Sequence, residues 1–460
     1  MKKIINNFTL VAALLTLSAM QMSGQEQPKL FGKPVKSVNP ENGLIRCASS
    51  EYEDYLRAKY PQETREQFEN WLRPKIQQQK AQRSSNGANA VITIPVVVHV
   101  IHNGDAYGSN ENITDEQVMS QITVLNQDYR RMFDTPGWNN IAVGADTEIQ
   151  FCLAQVDPNG IATNGIDRVN LGQAAWSSIG AIDGNVKPDT YWDPNKYMNI
   201  WTVNYGLQSN LLGYAQFPST NAVPGNPANA GFANTDGVVI GYEYFGSKDI
   251  YPQGSYDSND TYIYGRTATH EVGHFLGLIH IWGDNGSCSV NATDSNKDYC
   301  PDTPAASIEH YSCQTANSCL SSPGNDMIEN YMDYTNDACM NIFTQDQKER
   351  MIAILNNAPR RKSLITSNVC QPLAGAEDYN LLNGMSIYPN PAQTVLSITS
   401  ANGDLPDNYT IYNNLGQTVA SVKVSSSANL TINTSAYANG IYFIKINKGA
   451  QTKTLKFIKD

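Results

Sequence analysis

Eleven residues in the second half of the chain restrict its local structure more than any other stretch. Histidines stand at His270, His274 and His280, Glu271 follows the first of them, and Gly277 lies between the last two. A spacing of four puts two imidazoles on one face of a helix. Glycine can adopt the left-handed conformation that ends a helix and turns the chain. The sequence therefore predicts a helix followed by a sharp turn that brings the third imidazole back toward the first two.

Three neutral imidazoles leave the fourth position of a tetrahedral zinc ion open, as in catalytic rather than structural sites. Glu271 projects beside them and can take a proton from an attacking water. Chance is the alternative, but the pattern fixes five positions, and the chain has only six histidines in 460 residues. We expect a zinc-dependent hydrolase with His270, His274 and His280 as ligands and Glu271 as the general base.

The extended histidine pattern resembles that of the metzincin clan, in which a methionine turn is expected downstream. Further segments make the chain similar to the pappalysin (cytophagalysin) family over about residues 87 to 360. The resemblance implies an α/β catalytic domain with a twisted, mostly parallel sheet, an active-site helix and an irregular C-terminal subdomain. The segments that carry it are His270 to His280, Asp302-Thr303-Pro304, Asn330-Tyr331-Met332-Asp333-Tyr334 and Phe343-Thr344-Gln345.

The resemblance also implies roles for three residues near the end of this domain. Met332 would form an apolar floor beneath the zinc, and Tyr334 would hydrogen-bond the oxyanion of the tetrahedral intermediate. Asp337 would lie at the base of a primed-side pocket and select Arg or Lys just after the scissile bond; a surface aspartate in a turn is the alternative. A metalloendopeptidase is thus expected. The alternative is an inactive, zinc-containing surface-binding or adhesive protein, which would be expected to lose Glu271, Met332 or Tyr334.

Cys47 follows Arg46 in the stretch before the catalytic domain. A thiolate is a strong zinc ligand and can occupy the open fourth position. The Arg-Cys pair resembles the propeptides of the family, which implies a latent zymogen with Cys47 on the zinc. An ordinary disulfide partner is the alternative.

The remaining cysteines surround the active-site region. The resemblance suggests crossed disulfides, Cys288 with Cys319 and Cys313 with Cys339, although sequence alone does not fix connectivity. Cys152, Cys300 and Cys370 are left without an assigned partner.

Oxygen-bearing side chains near the same loops suit a structural calcium ion, and calcium sites occur in the family. Solvated turn aspartates are the alternative. The candidates are Asp294, Asp298, Asp302, Thr303 and Asp326.

The amino terminus predicts export. Lys2 and Lys3 precede a short apolar run, and small residues follow it, which is typical of a secretory signal peptide over residues 1–24. No later stretch approaches 18 apolar residues, so no transmembrane helix is expected. Export permits disulfides.

Changes in composition divide the rest of the chain. Residues 25–86 are charged and helix-prone and are expected to be a propeptide. Residues 87–370 alternate strands and helices, which indicates an α/β sheet and the metalloprotease domain. Residues 371–460 contain short alternating strands separated by turn residues, which indicates a β-sandwich.

The C-terminal domain resembles a type IX secretion sorting domain in its Tyr388-Pro389-Asn390-Pro391 segment, its Gly440-Ile441-Tyr442 strand and its last five residues. The resemblance implies a Gram-negative bacterium, contact with the type IX secretion machinery, and export across the outer membrane to the cell surface or medium. A surface- or carbohydrate-binding β-sandwich is the alternative.

The formal net charge of −11, with only 16% charged residues, argues against nucleic acid or an anionic membrane as the main partner. We expect peptide or protein substrates and a monomer.

Overall fold

The computed structural model describes residues 29–30, 33–59, 64–86, 90–206, 210–220, 233–284, 286, 288, 298–371, 382, 385–400, 405–449 and 451–460. The expected signal peptide, residues 1–24, and the calcium candidate Asp294 lie outside them. Among the described residues, no helix combines the length and apolarity that a bilayer crossing requires.

The N-terminal segment, defined here as residues 29–86, is mainly helical. Its two short strands pair antiparallel, and Pro74 lies inside its second helix. The elements are β1 (Lys29–Leu30), β2 (Lys33–Pro34), α1 (Ser49–Lys59) and α2 (Arg65–Asn86).

The catalytic domain is built around a six-stranded sheet. Its elements, in chain order, are β3 (Ile92–His102), α3 (Asp115–Tyr129), β4 (Ile149–Leu153), β5 (Ile166–Asn170), α4 (Ile179–Ala181), α5 (Lys187–Thr190), β6 (Met198–Val203), β7 (Gly213–Ala215), β8 (Gly237–Gly241), α6 (Arg266–Phe275), α7 (Gln345–Asn357) and α8 (Arg361–Leu364).

The strand order is β4-β3-β6-β8-β7, and β5 also pairs with β3. All pairs are parallel except β7 with β8, so the short β7 is an antiparallel edge strand. This confirms the expected mostly parallel sheet. Pro95 pairs with Cys152 of β4 and lies one residue before the pairing of β3 with β6 begins at Val96. A proline without an N–H is therefore accommodated in the central strand.

Helix α3 fixes the start of α6, the helix that carries the histidine motif. Thr114 caps α3 by accepting a hydrogen bond from the backbone N–H of Gln117. Buried Asp128 of α3 accepts from the Thr269 hydroxyl at 2.7 Å and pairs with Arg266 at 3.2 Å. Because a buried charge pair requires its partners in place, the first turn of α6 is held against α3.

The opposite face of the sheet is covered partly by the N-terminal segment. Ile45, Tyr52 and Leu56 are buried there with Leu211 and Tyr214 of the edge-strand region. A second contact joins α2 to α7 through a small apolar cluster. The N-terminal segment therefore completes the core of the catalytic domain on two sides.

Disulfides staple the irregular region after α6. The structure pairs Cys288 with Cys319 and Cys313 with Cys339, the crossed arrangement that the resemblance suggests. A third disulfide, Cys152–Cys370, ties β4 to the end of the catalytic domain across 218 residues of sequence. Two of the unassigned cysteines thus pair with each other, while Cys300 is free and buried.

The C-terminal domain consists of two antiparallel sheets, ordered β13-β10-β9 and β12-β11-β14-β15, with an apolar core between them. This is the expected β-rich domain. Its strands are β9 (Met385–Tyr388), β10 (Val395–Ser400), β11 (Asn408–Asn413), β12 (Thr418–Lys423), β13 (Thr431–Asn433), β14 (Gly440–Lys448) and β15 (Gln451–Lys459).

Candidate active site

The three histidines of the motif converge on one point. His270 and His274 lie on α6, and Gly277, with φ of +85°, turns the chain so that His280 returns to them. The Nε2 atom of His274 is 3.1 Å from the Nε2 atoms of both His270 and His280. All three side chains are buried.

Each imidazole is oriented through its other ring nitrogen. His270 Nδ1 donates to the Tyr331 carbonyl at 2.7 Å, and His274 Nδ1 donates to the Leu278 carbonyl at 2.8 Å. His280 Nδ1 pairs with the carboxylate of Asp284. With the proton on Nδ1, each Nε2 presents a lone pair.

Three lone pairs that face one another require a cation between them. Burial lowers the pKa of His270 and of His274 well below the usual value, so both rings are neutral ligands. Cys47 Sγ joins the three nitrogens, and all four atoms lie within 4.8 Å of one another. Three nitrogens and one sulfur suit zinc, so the residues present fit the ion that the motif predicts.

Glu271 lies beside this cluster and contacts the N-terminal segment. Its Oε2 accepts from the Ser49 hydroxyl at 2.6 Å and lies 3.5 Å from Cys47 Sγ. Its Oε1 is buried without a hydrogen-bond partner among the described residues. Burial raises the pKa of Glu271 to about 7. The N-terminal segment therefore occupies the space in which this carboxylate would meet a water.

Met332 packs directly against α6. A Cβ atom added to Gly273 would lie 2.5 Å from Met332 Sδ, so a larger residue at this contact would require the buried methionine side chain to shift. Tyr334 is also buried at the cluster, with its ring centroid 4.8 Å from that of His280. The structure thus brings both residues of the methionine turn to the histidines.

Asp337 forms a buried ion pair with Arg46 of the N-terminal segment. Its Oδ1 is 3.0 Å from Arg46 Nη2, and both side chains are fully buried. Its Oδ2 accepts from the backbone N–H groups of Tyr264 and Arg266. Arg46 also donates to Thr267 Oγ1 at 2.6 Å. Asp337 is therefore a buried partner of the N-terminal segment and not a surface turn residue.

The N-terminal segment reaches the cluster by running along the edge-strand region. Ile45 forms a parallel bridge with Leu211 and accepts from the Leu212 N–H at 2.9 Å. Ala48 N–H donates to the Gly213 carbonyl at 3.1 Å. The backbone groups that an extended peptide could use are thus occupied by the chain itself.

The calcium candidates that the structure describes do not share one site. The four-residue group of Cys47 and the histidines is the metal-competent group found in the described part of the chain. Asp326 faces the His310 ring at 2.9 Å, whereas Asp298 accepts from the Thr303 hydroxyl at 2.7 Å. Asp302 Oδ2 caps α7 by accepting from the Asp346 N–H, while its Oδ1 is buried without a direct hydrogen-bond partner in the part of the chain that the structure describes.

Sequence reasoning missed two polar residues of the site. Asp284 orients His280 and also accepts from the Ser50 hydroxyl at 2.8 Å. Ser49 donates its hydroxyl to Glu271 Oε2 at 2.6 Å and its backbone N–H to Cys47 Sγ at 3.3 Å. The spacing of Ser49 two residues after Cys47 was the available signal, but nothing marked Asp284 among the other loop aspartates.

Two parts of the chain match known families. Residues 180–356 match the family described as pregnancy-associated plasma protein-A, and residues 386–460 match the secretion system C-terminal sorting domain. The extracellular metalloprotease of Arthroderma otae is 30% identical over 268 residues, which cover 58% of this chain and 79% of that protein. The extracellular metalloprotease of Verticillium alfalfae is 32% identical, with 57% and 76% covered.

Solved structures extend the similarity to a proenzyme. Mature mirolysin of Tannerella forsythia in complex with a cleaved peptide is 40% identical, covers 60% of this chain and 96% of its own, and has a TM-score of 0.50. A promirolysin variant from the same organism is 36% identical, covers 70% and 97%, and has a TM-score of 0.52.

The sorting-domain match and the extracellular relatives also fix the destination of the protein. It is exported by the type IX secretion system of a Gram-negative bacterium and is secreted or displayed at the cell surface. Together with the zinc-compatible cluster, these similarities show that the chain belongs to the pappalysin family of secreted zinc metalloendopeptidases that are made as zymogens.

Proposed function

We propose that this protein hydrolyses peptide bonds with zinc held by His270, His274 and His280, and that it prefers Arg or Lys just after the scissile bond. The observation that carries the proposal is the convergence of three Nε2 atoms that face one another next to a buried glutamate. Zinc, when bound, supplies the Lewis acidity that makes a water more nucleophilic and a carbonyl more electrophilic at neutral pH.

The side chains of the protein carry the proton transfers. Once the N-terminal segment leaves, Glu271 loses the Ser49 hydroxyl and can accept the proton of the attacking water. The same carboxylic acid then protonates the departing amine. The Tyr334 hydroxyl, at the wall of the histidine cluster, donates to the oxyanion of the tetrahedral intermediate. Met332 keeps the floor of the site apolar.

The proposed specificity is supported by the way the chain fills its own pocket. Arg46 reaches Asp337 with full burial of both charges. A substrate arginine or lysine that replaced Arg46 would meet the same carboxylate, oriented by two backbone N–H groups. The pocket therefore selects a basic side chain.

Latency follows from Cys47. Its sulfur lies with the three nitrogens at the place where the fourth zinc ligand would be, and Ser49 holds the general base. We accordingly assign residues 1–24 to the signal peptide, 25–86 to the propeptide, 87–370 to the protease and 371–460 to the sorting domain. Amino-terminal sequencing of the secreted protein tests these boundaries; a mature amino terminus before Cys47 would contradict the proposed release.

Digestion of a mixed peptide library tests the reaction and the pocket together. We expect the processed wild-type enzyme to cut before Arg and Lys, and Glu271→Gln to abolish cutting. Glu116→Gln, which changes a partly exposed glutamate on α3, is the matched control. A zinc chelator should stop the wild-type enzyme. Zinc-dependent cutting without a preference for basic residues would contradict the proposed role of Asp337. No cutting would favour the alternative of an inactive, zinc-containing surface-binding protein.

A structural calcium ion near Asp302 remains part of the proposal. Among the described residues, Oδ1 of Asp302 is buried without a direct hydrogen-bond partner, and a cation would satisfy this acceptor. Thr303 and Asp298 lie in the same loop, whereas the partners of Asp326 place it with His310. We expect calcium to raise the thermal midpoint of the wild-type protein and not that of Asp302→Ala. Equal responses would contradict the assignment.

A further inference from the structure

Arg350 on α7 is a buried guanidinium whose outer nitrogens are held by the N-terminal segment. Its side chain is 2% exposed. Nε donates to the Gly277 carbonyl at 2.7 Å, and this hydrogen bond holds the guanidinium group of Arg350 against the catalytic domain. Nη1 donates to Glu69 Oε2 at 2.8 Å, and Nη2 pairs with Glu69 Oε1. Within the described ranges, no carboxylate of the catalytic domain forms an ion pair with Arg350.

The guanidinium lines a cavity that adjoins the histidine cluster. On the side of the catalytic domain this cavity is bounded by Phe217, Pro218, Ile279 and Arg350. The Phe217 ring centroid is 5.0 Å from that of His274. The cavity is therefore separated from the proposed metal position by one aromatic ring.

The cavity lies on the other side of that position from Asp337. The N-terminal segment meets Leu211 through Ile45, next to Arg46 in its acidic pocket. It then meets Ala215 through Ser49, whose hydroxyl accepts from the Ala215 N–H at 2.8 Å. Phe217 follows two residues after the end of the edge strand β7 at Ala215. A substrate that places a basic residue at Asp337 thus extends its opposite end toward Arg350.

We propose that Arg350 is a carboxylate-binding subsite of the mature enzyme, which takes an Asp or Glu side chain of the substrate on the non-primed side of the scissile bond. The proposal rests on the proposed peptidase function. Release of Glu69 leaves the Nη1 and Nη2 atoms of Arg350 facing an open cavity, in a guanidinium group that is already oriented. A planar guanidinium group matches a carboxylate in geometry as well as in charge. Glu69 occupies this subsite in the latent chain just as Arg46 occupies the pocket of Asp337.

Matched peptides test the subsite. A parent peptide that the processed enzyme cuts is given Gln at each of the four non-primed positions, and each Gln is then replaced singly by Glu. We expect kcat/KM to rise roughly 10-fold at one position, through KM, because a carboxylate can form a charge-assisted, two-bond contact with the guanidinium group that an amide cannot. Arg350→Gln should remove the Glu preference, and Arg350→Lys should retain part of it.

Arg130→Gln is the control, because it removes the same charge from a partly exposed pair with Asp146 on another helix; its Glu preference should match that of the wild type. A wild-type enzyme with no preference for Glu at any position overturns the subsite, as does an unchanged preference in Arg350→Gln. In both cases the parent peptide is still cut, so the peptidase function stands. Failure of the wild-type enzyme to cut any peptide overturns both proposals. The ratio of kcat/KM for the Glu peptide to that for the Gln peptide is measured with the wild-type enzyme alone. It therefore tests the subsite even if Arg350→Gln does not fold.

Discussion

The buried ion pair between Arg46 and Asp337 gives a quantitative prediction for latency. Arg46→Ala leaves the Asp337 carboxylate buried and unpaired in the closed chain. Breaking a buried pair in this way costs about 3–5 kcal/mol. Since 1.4 kcal/mol is a factor of ten, the population with an open cleft should rise roughly 100-fold or more.

The assay is the initial rate of peptide hydrolysis by intact proenzyme, read before self-processing changes the chain. We expect this rate to follow the open population and to rise by the same factor in Arg46→Ala. Arg57→Ala is the control: its pair with Glu53 is partly exposed, and such pairs contribute at most about 1 kcal/mol, so the rate should change less than roughly 5-fold. An Arg46→Ala rate as low as that of Arg57→Ala would refute the reasoning.

Three further predictions concern stability. Gly273→Ala should lower the thermal midpoint and weaken zinc retention, because its Cβ would lie 2.5 Å from Met332 Sδ, whereas Gly180→Ala has open space and should be tolerated; equal midpoints would contradict this. Burial alone would raise the pKa of Asp236, but Arg360 and Arg361 outweigh it and lower the pKa from 3.8 to about 2. The ionised Asp236 with its two arginines therefore contributes about 2.5 kcal/mol to stability above pH 4, and this contribution is lost as the pH falls toward 2. Acid unfolding of Asp236→Asn should lack that loss. Burial alone would lower the pKa of His310, but Asp333 and Asp326 outweigh it and raise the pKa. Protonated His310 therefore stabilises the folded protein fully below pH 6.5, and this contribution disappears as the pH rises through the raised pKa. Urea unfolding of His310→Gln should show no such decline.

The sequence predicted those parts of the molecule that depend on local pattern. The helix and turn of the histidine motif follow from the spacing of four and from Gly277, and the mostly parallel sheet follows from the alternation of strands and helices. The short strand β5 was not predicted, because its five residues are mostly half-buried and show no clear alternation.

Contacts between distant residues could not be predicted in this way. Cys152 and Cys370 are 218 residues apart, and Glu69 and Arg350 are 281 apart. Only the assembled fold brings such pairs together, and no local rule identifies one aspartate or arginine among many. The Arg46 contact with Asp337 is similar: the sequence proposed a role for Asp337 and named Arg46 only as the neighbour of Cys47, and the structure joins the two.

The docking of α2 on α7 has a consequence for the order of events during synthesis. The N-terminal segment is synthesised early, but Glu69 cannot form its ion pair until Arg350, 281 residues later in the sequence, has been made. Met332, which supports the histidine helix, is made only 18 residues before Arg350. The residues that support the histidine helix and those that bind the N-terminal segment are therefore synthesised at nearly the same time. The protease thus has little time in which its active site is folded but not covered by the N-terminal segment.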